Sequence, residues 1–162
     1  MFKIVMLFSI AMSTVLLAGN IEVKDAYVRA VPPNLPNSAS FMTIINNGAT
    51  AVDLTRADST LADTLELHEH TMKNGMMVMA QVPKITIPAH GSVMLKPGGY
   101  HIMIIGLKKP IKPHDSVKMI NLHFSDGETL TLKNVPVKSV MGGMKMKNMK
   151  MNGMKMNGMK SN

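Results

Sequence analysis

A histidine and a methionine stand two residues apart in the segment LKPGGYHIMIIGL, where His101 and Met103 interrupt an otherwise apolar run. If this segment is a β-strand, alternate side chains point to the same face, so the imidazole and the thioether emerge side by side. Imidazole combined with a soft thioether favours Cu(I) over Zn(II), Ca(II) or Mg(II). Methionine also fills cores and histidine is often a surface residue, so this pair alone is only a candidate metal site.

A second set of histidines and methionines lies in the segment HEHTMKNGMMVMAQV, which begins at His68. Its Asn74-Gly75 pair is the strongest short signal for a β-hairpin, because both central residues of a type I′ turn need positive φ. A two-residue loop there places His70 opposite Met79, and it puts His68 and Met79 on one face within reach of one ion. A one-residue bulge would send one of them to the other face, so this prediction depends on the register.

The elements that must position these side chains are short strands. Partly alternating runs fill residues 20–140, turn residues separate them, and no stretch is convincingly helical. A chain of about 120 residues is long enough for one hydrophobic core. The pattern predicts an all-β fold, a single antiparallel β-sandwich or Greek-key barrel. The runs begin at Ile21, Ala39, Ala51, Thr64, Met79, Ser92, Tyr100, Val117 and Thr129.

The first nineteen residues have the pattern of a secretory signal peptide. Lys3 precedes an almost unbroken apolar run from Ile4 to Met12, and cleavage is expected after Ala18 or Gly19. The apolar stretch is short for a membrane span of about 20 residues, and no later segment is long and apolar enough to serve as one. We therefore expect a mature protein that is exported, in a bacterium to the periplasm, without stable membrane insertion.

The 162 residues include no cysteine, which narrows the chemistry. An exported chain would turn paired thiols into disulfides, and this chain has neither a disulfide framework nor a thiolate ligand. Structural zinc would call for thiolates or more histidine, and a blue-copper electron carrier would require a cysteine. A metal site must therefore use His, Met or carboxylate. Because the sequence has neither a nucleophile-elbow spacing nor a glycine-rich phosphate loop, we expect no enzyme activity.

Residues 141–162 form a tail built from five-residue repeats, each ending in Met-Lys. The tail holds eight of the nineteen methionines and five lysines with no acidic residue, so most of the net charge of +8 belongs to it. Because it lacks aromatic residues and Arg, its basic character does not indicate nucleic-acid binding. Gly, Asn and Lys neither pack a core nor form a stable helix, which predicts a disordered tail that binds additional copper weakly. Its candidate ligands are Met141, Met144, Met146, Met149, Met151, Met154, Met156 and Met159.

The spacing of the main candidates resembles the motif of a known family. His68, ten residues, Met79, twenty-one residues and then His101-X-Met103 is similar to the motif of the periplasmic copper chaperone family PCu(A)C. Three blocks between residues 21 and 135 also resemble that family: DAYVRAVPPNLPNSASFMTIINNG, LELHEHTMKNGMMVM and LKPGGYHIMIIGLKKPIKPHDSV. The chain departs from the family at His70, where the family usually has Met, and this leaves His70 as a fifth candidate ligand.

The resemblance implies a cupredoxin-like β-sandwich that binds Cu(I) through four ligands, His68, Met79, His101 and Met103. It also implies a carrier that delivers copper to an apo-cuproprotein, such as the subunit of cytochrome c oxidase that holds the CuA site. Two alternatives stay open, a periplasmic copper buffer for detoxification and, less favoured, a copper redox or electron-transfer protein. The other histidines lack a methionine at strand spacing and are expected at the surface; they are His90, His114 and His123.

Overall fold

The computed structural model describes residues 19–139 and builds this part of the chain from ten β-strands. The predicted signal peptide, apart from Gly19, and the Met-rich repeat from Met141 lie outside the described residues. Residues 19–139 include no helix with the length and apolar character needed to cross a membrane. The strands are β1 (Ile21–Arg29), β2 (Asn37–Asn46), β3 (Val52–Asp58), β4 (Ala62–Lys73), β5 (Met76–Gln81), β6 (Ile85–Ile87), β7 (Gly91–Leu95), β8 (His101–Leu107), β9 (Ser116–Phe124) and β10 (Thr129–Lys138).

The strands pair in the order β5-β4-β8-β2-β1-β10-β9-β3-β6, and β7 also pairs with β2. The predicted all-β fold is therefore confirmed. The sheet is mixed at one junction, where β1 and β10 run parallel through the pairs Val28–Val137 and Arg29–Lys138. The other strand pairs between residues 19 and 139 are antiparallel. The parallel pair joins two antiparallel halves of the molecule.

These two halves pack against each other through one hydrophobic core. β2, β4 and β8 supply apolar side chains from one half, and β3, β9 and β10 supply them from the other. Burying a Val, Leu or Ile side chain is worth about 1.5–3 kcal/mol relative to leaving it exposed, so this core is the main stabilising feature. Its fully buried residues include Val28, Ile44, Leu54, Ile85, Ile87, Ile102, Ile104, Ile120 and Leu122.

β4 and β8 lie side by side and divide their residues between two faces. Period-two alternation sends one set to the core and the other to the outer face of the sheet. On the outer face, His68 pairs with His101 and Glu66 pairs with Met103. The buried core pairs between these two strands are Leu65–Ile104 and Leu67–Ile102. The apolar residues thus fix the register that brings His68 and His101 together, because a one-residue slip would expose them.

Beyond this pairing, β4 continues into a hairpin with β5. Asn74 and Gly75 have positive φ angles of 52° and 76°, as a type I′ turn requires. His70 pairs with Met79 without a bulge, so the predicted register is confirmed. β5 ends the strand order, and all six of its residues are exposed. The hairpin therefore extends the outer face of β4 into solvent.

Candidate metal centre

Three imidazoles meet on the outer face of β4 and β8. The ring centroid of His101 lies 4.9 Å from that of His70 in a stacked arrangement and 5.7 Å from that of His68. His101 is the most buried of the three, with 3% of its surface exposed. The antiparallel register causes this meeting, because His68 is directly opposite His101 and His70 follows two residues later on the same face.

A tight turn at the start of β8 orients His101. Gly98 adopts a φ of +81° in this turn, a conformation that glycine tolerates without strain. The carbonyl of Gly99 lies 3.0 Å from Nδ1 of His101 and also accepts a hydrogen bond from the backbone N–H of His70 at 3.3 Å. A carbonyl can only accept, so Nδ1 carries the proton of the neutral ring, which leaves the Nε2 lone pair for a metal ion.

Glu66 fixes the tautomer of His68 through the other ring nitrogen, Nε2. Its Oε2 lies 2.8 Å from Nε2 of His68, and the two residues are two positions apart on one face of β4. With the Nε2 proton donated to this carboxylate, the lone pair of His68 resides on Nδ1. That arrangement, a carboxylate behind a histidine, is the usual support for a metal-binding imidazole.

Two buried nitrogen atoms at this site have no hydrogen-bond partner, Nδ1 of His68 and Nδ1 of His70. A buried polar atom without a partner costs about 1–3 kcal/mol, so native proteins rarely keep one without a reason. A metal ion would supply the missing partner to the lone pair on Nδ1 of His68, and to Nδ1 of His70 in the tautomer that has its proton on Nε2. The chemistry of the donors therefore fits a soft, imidazole-binding cation.

The environment keeps His101 neutral. Burial lowers the pKa of His101 below its usual range, and the neighbouring His70 and His68 act in the same direction, while the Gly99 carbonyl opposes them. Only the neutral ring can bind a metal ion through its free nitrogen. A lowered pKa thus holds the residue in its binding form at neutral pH and below.

An aromatic wall explains how a residue on the outer face is so well buried. Phe41 of β2 is buried, and its ring centroid lies 6.4 Å from that of His101. Tyr27 of β1 packs against Phe41 at 5.2 Å. This wall excludes water from one side of His101, whereas the opposite side faces His68 and His70.

The two candidate thioethers lie on the same face, on either side of the paired His68 and His101. Met103 is half-buried opposite Glu66, and Met79 is 45% exposed opposite His70. The structure therefore brings the three imidazoles together and places one methionine in the adjoining row on each side. Among residues 19–139, no group of three or more His, Asp or Glu side chains is arranged to hold a metal ion. The donor set to consider combines imidazoles with thioethers.

Two features of the site were not predicted from sequence, the carboxylate of Glu66 and the carbonyl of Gly99. Glu66 had a signal, because the string ELHEH places Glu66, His68 and His70 at period two on one strand face. The role of Gly99 depends on the local turn and on the pairing of β8 with β4, and neither has a comparable signature in the sequence.

The histidines outside the site differ from one another. His90 and His114 are exposed and have positive φ angles, in agreement with the expected surface positions. His123 was wrongly expected to be a plain surface residue. It is partly buried and forms close hydrogen bonds with Asp58 of β3 and Thr129 of β10. Hydrogen bonds from Asn121 and His123 lower the pKa of Asp58.

The fold is similar to that of copper proteins of known structure. The copper-bound PCuAC domain from PmoF2 superposes with a TM-score of 0.63 at 17% identity, covering 75% of this chain and 94% of that chain. The solution structure of CuI-DR1885 from Deinococcus radiodurans superposes with a TM-score of 0.61 at 37% identity, covering 75% of this chain and 80% of that chain. The apo form of DR1885 is 33% identical over 89% of this chain and 95% of that chain, with a TM-score of 0.60. The fold is thus the cupredoxin-like β-fold of the PCuAC domains.

Sequence comparison gives the family. The family model described as "Putative lipoprotein LpqE-like" matches residues 21–137, which covers all ten strands except Lys138, the last residue of β10. A relative from Leifsonia xyli subsp. xyli, "Putative lipoprotein Lxx21020", is 36% identical over 126 residues, covering 77% of this chain and 74% of that protein. The chain belongs to the LpqE-like family.

Proposed function

We propose that this protein is a copper chaperone of the PCu(A)C type, which carries Cu(I) in the periplasm. The observation that carries the proposal is the pair of buried, unpartnered Nδ1 atoms of His68 and His70 beside the neutral His101. The proposed ligands are His68, Met79, His101 and Met103, with His70 as a fifth candidate. DR1885, whose two solution structures match this chain at 33% and 37% identity, has one structure described as Cu(I)-bound, which supports copper as the cargo.

The proposed ligands suit reversible carriage. Thioethers and neutral imidazoles hold Cu(I) without adding charge to the site, and they need no change in redox state to let it go. Met79 is nearly half exposed on the edge hairpin, so an incoming ligand from a partner can replace it first. His101, buried against Phe41, would be the last donor to be exchanged. This order allows stepwise transfer without releasing free Cu(I).

The proposed recipient is an apo-cuproprotein in the same compartment, such as an oxidase subunit with a CuA site. Export rests on the sequence of the first nineteen residues, together with the lipoprotein description of the family. In this role the protein is a carrier and not an enzyme, because the donors of the site only bind and release the ion.

Anaerobic titration of the full chain followed by transfer tests the proposal. We expect a colourless Cu(I) complex that loads an apo-CuA domain when the two are mixed, measured by the visible absorption of the CuA site after oxidation. His101→Ala should abolish transfer, and His114→Ala, which changes an exposed histidine away from the site, should leave it intact. A coloured complex that cycles reversibly between redox states would overturn the proposal in favour of an electron carrier.

A copper buffer is the second candidate function, because the repeat in residues 141–162 supplies eight further thioethers. Removing Met141 to Asn162 should remove the copper held by the repeat and leave about one tightly bound ion per chain, with a nearly unchanged affinity. Retention of the full stoichiometry would show that the repeat does not store copper. A loaded protein that withholds Cu(I) from every acceptor would favour the buffer over the chaperone.

A further inference from the structure

We propose a second, weaker Cu(I) site at the tip of the β4–β5 hairpin, formed by Met72 and Met77. Through this tip site the ion reaches and leaves the inner site, which is the site proposed above at His68, Met79, His101 and Met103. This inference rests on the proposed function, since it gives the inner site its route of exchange. The tip site would take Cu(I) itself, as a soft monovalent cation that binds thioethers.

The hairpin register places the two methionines together. Met72 is directly opposite Met77, in the row beyond the pair formed by His70 and Met79. Directly opposed residues in an antiparallel pair have Cβ atoms about 4.5–5.5 Å apart, which lets two long thioethers share one ion. Because β-strands have a period of two, both pairs lie on the face that carries His68. The outer face thus presents successive rows of soft donors along β4.

The solvent exposure of the side chains rises along the outer face from His101 to the tip of the hairpin. His101 is 3% exposed, Met79 is 45%, Met77 is 63% and Met72 is 67%. A site that receives an ion from solvent or from a docked partner must be accessible, and a site that retains it must exclude competing ligands. The gradient runs in the direction that such a route requires.

Packing does not explain these two methionines. Methionine usually fills gaps in cores, but Met72 and Met77 are outside the hydrophobic core and are mostly solvated. An exposed apolar side chain at a sheet edge contributes little burial and increases the risk of aggregation. The alternative explanation for their exposure is an apolar docking surface. Binding to such a surface would depend on the apolar area of the two side chains and not on their sulfur atoms.

The transfer is a ligand exchange that conserves charge. Cu(I) bound by the thioethers of Met72 and Met77 gains a bond to His70 or Met79 while it loses one to the tip, and then moves to His68 and His101. The ion stays Cu(I) throughout, and no proton or electron has to be supplied. Fewer donors at the tip make that site the weaker one, so the ion moves inward when the inner site is empty.

The test is anaerobic titration of the full chain with Cu(I), followed by NMR of methionine residues labelled with carbon-13 at the methyl group. We expect Met103 to respond to the first equivalent, and Met72 and Met77 to respond together to later additions. Met77→Leu should remove the response of Met72. Met76→Leu is the matched control, because Met76 is 68% exposed on the same hairpin and lies on its opposite face.

A kinetic measurement separates sulfur from apolar area. The double change Met72→Leu with Met77→Leu keeps the apolar surface and removes both thioethers, so it should slow loss of Cu(I) to a soluble chelator several-fold without changing the affinity for the first ion. An unchanged rate, or a Met72 response that persists in Met77→Leu, overturns the tip site. A response at Met103 without one at Met72 and Met77 overturns this inference alone, whereas no response at any of the three overturns the proposed function as well.

Discussion

β4 and β8 present two faces that differ in almost every physical respect, although their residues alternate along the same strands. The core face is apolar and closely packed, as at Leu67 and Ile104. The outer face holds three imidazoles, a carboxylate and buried nitrogen atoms without partners, as at His68. One face stabilises the fold and the other carries an incompletely satisfied set of donors. A substitution of adjacent residues should therefore change either stability or copper binding, but seldom both.

The largest expected effect is on the core face. Ile104→Ala removes a side chain with no exposed surface from the centre of β8 and should lower the free energy of unfolding by about 2–5 kcal/mol. Chemical denaturation of the copper-free protein measures this loss. The fraction that remains folded should bind Cu(I) with the parent affinity.

Ile105→Ala is the matched control, because it removes the same atoms from the next residue of β8, which is only partly buried. Its loss of stability should be clearly smaller. Equal losses in the two variants would contradict the division of β8 into a core face and an outer face.

The second expected effect is on the outer face. His101→Ala should lower Cu(I) affinity by more than the roughly 100-fold that marks the upper range for residues that only orient a ligand. His101 is buried, so His101→Ala changes packing as well as copper binding. Met103→Leu is therefore the companion change, because it keeps the side-chain volume and removes only the sulfur. Competition with a Cu(I) chelator, in a form of the protein that ends at Ser139, measures both affinities.

Met94→Leu is the control for the methionine change. Met94 is exposed on β7, where it pairs with Thr43 of β2, and it is not a proposed ligand. Its replacement should leave the affinity unchanged. A parent-like affinity in both His101→Ala and Met103→Leu would exclude this face as the copper site.

The sequence predicted local features of both faces better than distant ones. Alternating residues and the Asn74-Gly75 turn specified the strands and the register of the hairpin, because both depend on neighbours in the chain. The pairing of His68 with His101 brings together residues from separate segments, and no local pattern encodes it. The same is true of the parallel contact between β1 and β10 and of the contact between His123 and Asp58 of β3, since both join segments that are distant in the sequence. The family resemblance supplied the ligand set, and that set stays a prediction.

A smaller effect should come from Glu66, which contacts the proposed ligand His68 without being a proposed ligand itself. Glu66→Ala removes the carboxylate that fixes the ring and should lower Cu(I) affinity by about 10-fold. Glu66→Gln retains a hydrogen-bond acceptor and should recover part of that loss. Glu69→Ala is the control, since period two places Glu69 on the opposite face of β4. If Glu66→Ala binds copper like the parent, Glu66 has no orienting role.

The smallest expected effect concerns pH and compares His101 with an exposed histidine. Burial lowers the pKa of His101 in the folded protein, while in the unfolded chain it is about 6.5. Between these two values the unfolded state binds more protons, so stability is present above about pH 6.5 and is lost as the pH falls through the lowered value. Denaturation of the copper-free protein between about pH 7.5 and 5.5 should show this slope, and His101→Ala should reduce it. His114→Ala, which changes an exposed histidine outside the site, is the control.

Protons also compete with Cu(I) for His101, so the affinity should fall as the pH is lowered. The lowered pKa of His101 moves its share of this loss below the ordinary imidazole range. An unchanged stability slope in His101→Ala would show that the pKa of His101 is not lowered in the folded protein. An affinity that also stays flat to about pH 5.5 would then show that this imidazole does not bind the ion.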